Sequence, residues 1–181
     1  AESVDKDVEN VLDPTLLLSD LRWLDIAKKP RNLPHRYILV YMMEGCKYTI
    51  EKARALARDK ECDLVLINPT LRQRQTCKDF VMYKAASPEE FVGMFAQADA
   101  VVTNSFHGVA FSIIFKKEFY AETSNAEKSA RIIDLLALFE LSDRLLPNEK
   151  DGKPNWEKVN SELIKEKNKS ISWLKDSLGL N

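Results

Sequence analysis

Five short runs rich in β-branched, aromatic and other apolar residues recur along this chain, at Tyr37 to Met43, Asp63 to Asn68, Phe80 to Tyr83, Ala100 to Thr103 and Phe119 to Ala121. Between several of them lie segments whose apolar residues return at helical spacing. Lys47 to Lys60 carries Ile50, Ala53 and Ala57 on one stripe, and the stretch after Ser87 carries Phe91, Met94 and Phe95. Strands alternating with helices build parallel sheets covered on both sides. The unbroken apolar run from Tyr37 suits a strand buried on both faces. The pattern predicts an α/β domain with a Rossmann-like three-layer arrangement and a mostly parallel sheet of about five or six strands.

Local rules set several boundaries. Ser87-Pro88-Glu89-Glu90 reads as a helix start, with Ser at the cap, Pro at the first helical position and Glu90 completing a capping box. Pro69 stops the strand before it, and Thr70 to Asp79 reads as a polar loop carrying Arg72, Arg74 and Lys78. Pro14 holds Asp13 extended, and Ser19 caps a short helix with Leu21, Trp23 and Leu24. Glu122 to Asn125 is a loop at a strand's carboxyl end. A helix spans Ala130 to Phe139, so Arg131 stands at a helix start, where a cation opposes the dipole. Residues 1–10 form a charged linker remnant, and a long amphipathic helix occupies 154–178.

A chain of 181 residues fits one domain with a sizeable core, and 45% apolar with 30% charged residues is the balance of a soluble globular protein. A formal net charge of −1 and no basic patch interleaved with aromatics argue against a nucleic-acid partner. No run is long enough for a transmembrane segment, and the amino-terminal residues are polar where a signal peptide is apolar. Cys46, Cys62 and Cys77 are odd in number and form no paired motif, so the expectation is three reduced thiols in a cytoplasmic protein. His35 and His107 have no local partner at metal-ligand spacing; no metal and no cofactor are expected. His35 and Arg36 precede a strand, the wrong end for a ligand in an open α/β sheet.

The chemistry concentrates in residues 100–115, a strand, a turn and a helix. Ser105 is placed to cap the helix, whose remaining amides and dipole favour an anion. Gly108 has no Cβ and lets a ligand or a neighbouring backbone approach. His107 exchanges protons near neutral pH at the same corner. A Gly-x-Ser-x-Gly elbow and a dinucleotide-type Gly-rich loop are both missing, which disfavours serine hydrolysis and nicotinamide redox chemistry.

Thr103-Asn104-Ser105-Phe106-His107-Gly108, followed by Ala110 to Phe115 and Phe119, resembles the signature of the polysaccharide pyruvyl transferase family. Val11 to Leu18 with Trp23, Tyr37 to Tyr41, Pro88 to Phe91 and Arg131 to Leu136 resemble further family segments in the same order. The resemblance implies the C-terminal half of a glycosyltransferase-B-like enzyme whose N-terminal domain is absent here. It implies transfer of a pyruvyl group from phosphoenolpyruvate to hydroxyls of a saccharide acceptor, as a ketal. On that reading His107 is the catalytic acid, Ser105 and the amides near Gly108 hold one anionic group of the donor, Arg131 the other, and Asn104 belongs with them. Arg131 either contacts the ligand or forms a structural pair with Asp134 or Glu127. Asp13 either faces the cleft between the halves or serves only the Asp-Pro turn. Two alternatives remain open at this stage: a nucleotide-sugar-binding domain of a glycosyltransferase, and a non-catalytic binding domain.

Overall fold

A computed structural model describes residues 9–43, 46–123, 126–150 and 152–180, with the side chains of 126–129 excepted. Its centre is a five-stranded sheet, β1 (Tyr37–Tyr41), β2 (Asp63–Ile67), β3 (Val81–Tyr83), β4 (Ala100–Thr103) and β5 (Glu118–Ala121), in the order β3-β2-β1-β4-β5. Every neighbouring pair is parallel; Leu39 of β1 lies opposite Val65 on one side and Val101 on the other. The sheet is the mostly parallel α/β arrangement expected.

Alternate residues serve opposite faces. Ile38, Val40, Leu66, Val102 and Tyr120 pack with Ala53, Leu56 and Ala57 of α3 (Lys47–Lys60). Leu39, Val65, Val101 and Phe119 face the larger core, built with α1 (Pro14–Leu17), α5 (Pro88–Gln97), α6 (Phe106–Ile114) and α7 (Ala126–Leu138). Phe111 of α6 joins that layer to α2 (Asp20–Ile26), meeting Trp23 edge-on at 5.0 Å and Phe95 at 5.7 Å. Gly93 of α5 backs directly onto the chain after α2: a Cβ there would lie 2.0 Å from the Lys28 carbonyl oxygen.

The capping box at Ser87 forms as read, with Ser87 Oγ accepting from Glu90 N–H and the Glu90 carboxylate accepting from Ser87 N–H. Ser87→Ala is expected to cost about 1 kcal/mol. Chemical denaturation should show the midpoint falling with an unchanged m-value.

Three boundaries differ from expectation. Thr70 to Asp79 is not merely a loop: α4 (Leu71–Thr76) forms there behind a second capping box between Thr70 and Gln73. The buried Gln73 side chain also donates to the Met42 carbonyl, tying α4 to the end of β1. α7 begins at Ala126, so Arg131 lies more than a turn inside the helix and the dipole conflict disappears. The last helix, α8, spans Trp156–Leu178; Val159 and Ser170 are buried, and Trp173, Leu174 and Leu178 are exposed. Ser170 Oγ accepts from Leu12 N–H at 2.9 Å, joining α8 to the approach to α1. Most of the proposed linker remnant, residues 1–8, lies outside the described residues, as do Ser124 and Asn125 of the loop after β5.

Candidate functional site

The strand order reverses direction between β1 and β4, so their following helices leave on opposite faces and open a crevice at the carboxyl ends of the two strands. Asn104 closes its floor. Its Oδ1 accepts from Met43 N–H at 2.8 Å and its Nδ2 donates to Cys46 Sγ at 3.0 Å, so the exit of β4 is tied to the exit of β1 and the start of α3.

The turn into α6 is built from Thr103. Its hydroxyl donates to the Tyr41 carbonyl at 2.7 Å and accepts from Ser105 N–H at 3.0 Å. Gly108 is buried beside it, and a Cβ there would fall 2.2 Å from Thr103 Oγ1. The space left by the missing Cβ is therefore filled by a neighbouring side chain, not by backbone. Ser105 occupies the cap position and is buried, but its hydroxyl does not bond a first-turn amide, contrary to the role read for it. Cys46, at the cap position of α3, does not either. The other helices with a described cap are each closed by a side chain: α1 by Asp13, α2 by Ser19, α4 by Thr70, α5 by Ser87 and α8 by Asn155. The two helices that flank the crevice thus begin without a cap from their own side chain.

His107 is exposed on the first turn of α6, with its ring 5.5 Å from that of Phe106. The Arg131 guanidinium lies 4.0 Å from the centroid of the same Phe106 ring, so one ring touches both side chains. Arg131 Nη2 donates to Asp13 Oδ2 at 2.9 Å. Its partner among the described side chains is Asp13 and not Asp134; the side chain of Glu127 lies outside them. Asp13 does two things at once, since its Oδ1 accepts from Thr15 N–H and caps α1. Asp13 serves the Asp-Pro turn and also pairs with Arg131 beside His107.

Burial pushes the Asp13 carboxyl up, but hydrogen bonding from Thr15 and the neighbouring His107 and Arg131 outweigh it and hold it below its ordinary value. A depressed carboxyl adds stability above its unfolded pKa, about pH 4, and that stability is lost as pH falls through the lower folded value. Arg131 is 61% exposed, so solvent screening keeps the gain below about 1 kcal/mol. Asp13→Asn keeps a capping oxygen and removes the charge. The stability gap between it and the parent should be near its full size at about pH 5 and close as pH falls below about 4 in a pH series of urea melts.

Two residues of the crevice were not singled out from sequence. Phe106 gave no warning beyond its place in the motif. Glu122, at the carboxyl end of β5, is 8% exposed; its N–H donates to the Thr103 carbonyl and its Oε2 accepts from Thr49 N–H at 2.6 Å. Its position after a strand end was the available pointer. Arg74 of α4 bonds back to the Pro69 carbonyl before the helix, and no contact among the described residues joins Arg72, Arg74 or Lys78 to the α6 corner. Among the described residues no three His, Cys, Asp or Glu side chains converge, and no helix is long and apolar enough to cross a membrane.

Comparison with known proteins adds two findings. In solved structures the chain matches a Methanocaldococcus jannaschii UDP-GlcNAc 2-epimerase, in complex with UDP-GlcNAc and UDP, at TM-score 0.50 and 16% identity, over 85% of this chain and 46% of that one. It also matches a Thermobaculum terrenum O-GlcNAc transferase mutant at TM-score 0.47 and 9% identity, over 83% of this chain and 35% of that one. The chain therefore spans less than half the length of these structures. At 16% identity the likeness to the epimerase is one of fold alone. No curated protein gives a significant match. A family model described as polysaccharide pyruvyl transferase matches residues 2–125, which takes in β1 to β5, Asn104 of the crevice floor and the α6 turn with His107, and ends before Arg131. Since that match covers most of the sequence, the chain belongs to the polysaccharide pyruvyl transferase family.

Proposed function

We propose that this chain is the donor-binding part of an enzyme that transfers the pyruvyl group of phosphoenolpyruvate to two hydroxyls of a saccharide in a cell-surface polysaccharide. The observation that carries this is the α6 corner, where a helix start without a side-chain cap meets an exposed imidazole and a guanidinium at the switch point of the sheet. Phosphoenolpyruvate brings a phosphate and a carboxylate. The amides that open α6, beside Ser105 and Gly108, suit one of them, and Arg131 suits the other. Asp13 and Phe106 set the Arg131 fork from two sides, and Asn104 holds the floor below.

Protonation of the enol methylene carbon is the difficult step, and we assign that proton to His107. The neighbouring carbon, now electron-poor, is attacked by a sugar hydroxyl, which loses its proton. Phosphate then leaves with the C–O bond pair, and a second hydroxyl attacks the same carbon and loses its proton. One hydroxyl proton balances that given to the methylene carbon and the other leaves with phosphate, so the sum is ketal plus inorganic phosphate. A saccharide acceptor must reach the same carbon from the open side of the crevice, and we assign its recognition to an N-terminal domain of the same enzyme. Cys46, Cys62 and Cys77 form no disulfide among the described residues, which supports work in the cytoplasm.

Calorimetric titration tests the donor assignment. The chain should bind phosphoenolpyruvate saturably, and Arg131→Ala should weaken it roughly 10- to 100-fold, the worth of a charge-assisted hydrogen bond of about 1.5–3 kcal/mol. Preference for uridine diphosphate over phosphoenolpyruvate would instead support a nucleotide-sugar site on the same corner. Binding of neither by the enzyme carrying both halves would favour a non-catalytic domain.

A further inference from the structure

We propose that Glu122 is a specificity-determining residue: it occupies the start of α3 with the chain's own carboxylate and so restricts the crevice to ligands bearing a single phosphate. The proposal rests on the reading of the α6 corner as a phosphate site.

Two helix starts flank the crevice, and a ligand with two linked phosphates would naturally be offered both. They are close neighbours. Cys46, at the cap position of α3, bonds to Asn104, the residue immediately before the cap position of α6. They differ in one respect. The Thr49 amide in the first turn of α3 is already taken, by Glu122 Oε2 at 2.6 Å. Glu122 directly follows β5, anchored through its own N–H to the Thr103 carbonyl, so its backbone is set by the same residue that builds the α6 turn. A buried carboxylate on a helix amide is a charge-assisted bond reinforced by the dipole. Displacing it strands that charge, and leaving it in place sets it against any second phosphate extending from α6.

Thr49 adds an independent mark. It is fully buried, and its Oγ1 is the one side-chain oxygen or nitrogen among the described residues that is buried without a partner. A hydroxyl of this kind, in the same turn as the amide that Glu122 holds, is a donor for a second anion once the carboxylate's charge is removed. Phosphoenolpyruvate needs only one phosphate position; a nucleotide diphosphate needs two.

The experiment titrates the parent chain, Glu122→Gln, Glu122→Ala and Glu122→Asp with pyrophosphate, uridine diphosphate and phosphoenolpyruvate. Gln keeps an acceptor for the Thr49 amide without the charge. Ala is a second neutral variant should Gln disturb the fold, and Asp keeps the charge; thermal unfolding establishes which are folded. Expected is a tenfold or greater tightening of pyrophosphate and uridine diphosphate in a neutral variant, a change below threefold for phosphoenolpyruvate, and parent-like behaviour in Glu122→Asp. Pyrophosphate binding within threefold of the parent in a folded neutral variant overturns the proposal. So does an equal tightening of all three ligands, which would mean a general charge effect. Failure of the donor reading is seen separately, as phosphoenolpyruvate binding that ignores Arg131→Ala, whatever Glu122 does to the pyrophosphate affinity.

Discussion

Replacing His107 with alanine is expected to lower turnover about 10²- to 10⁴-fold, the usual worth of a positioned general acid. Stability should stay within about 0.5 kcal/mol, because the side chain is exposed and closes no cap. His107→Asn is the sharper variant: it keeps a polar side chain of similar reach but exchanges no proton near neutral pH, and it should fall by the same factor. Phosphate released from phosphoenolpyruvate in the presence of acceptor by the enzyme carrying both halves, followed beside thermal unfolding, separates the two effects. Unchanged turnover in either variant would move the proton donor elsewhere in the crevice and leave His107 as a surface residue.

Gly108→Ala should be strongly destabilising. Its Cβ would lie 2.2, 2.8 and 2.9 Å from Thr103 Oγ1, Cβ and Cγ2, and Thr103 is fully buried with no room to retreat. Moving that side chain breaks its bonds to the Tyr41 carbonyl and the Ser105 amide. Overpacking of about 1–3 kcal/mol plus about 1 kcal/mol for hydrogen bonding gives an expected loss of about 2–4 kcal/mol. Equilibrium unfolding measures it. In the double variant Thr103→Ala/Gly108→Ala the two costs should sum to more than is observed, since removing Oγ1 and Cγ2 relieves two of the three clashes.

Local chemistry was the part of this molecule most legible in its sequence. The helix Lys47–Lys60, the box at Ser87 and the strands all rest on periodicity or on partners within four residues. Thr70 and Gln73 carried the same kind of signal as Ser87 and Glu90, but without a following Pro or acidic turn the segment read as loop. The start of α7 was misplaced by a turn for a related reason: Ala126 to Ser129 has too few apolar residues to show a stripe. At the site, His107 stood out because its motif is contiguous. What surrounds it did not, because Asp13 and Arg131 are 118 residues apart and Thr49 and Glu122 are 73 apart. Pairings of that span are decided by strand order, which periodicity does not encode.

Asn104 ties the exits of two adjacent strands together across the crevice floor, one amide side chain bonding both the backbone of Met43 and the sulfur of Cys46. The entropy of holding those loops at a fixed separation is thus met when the chain folds and not when a ligand arrives. An anion settling on the α6 turn meets a floor already at its final width, so little of its interaction energy is diverted into ordering protein. Any closing motion that catalysis needs has to come from what lies above the floor.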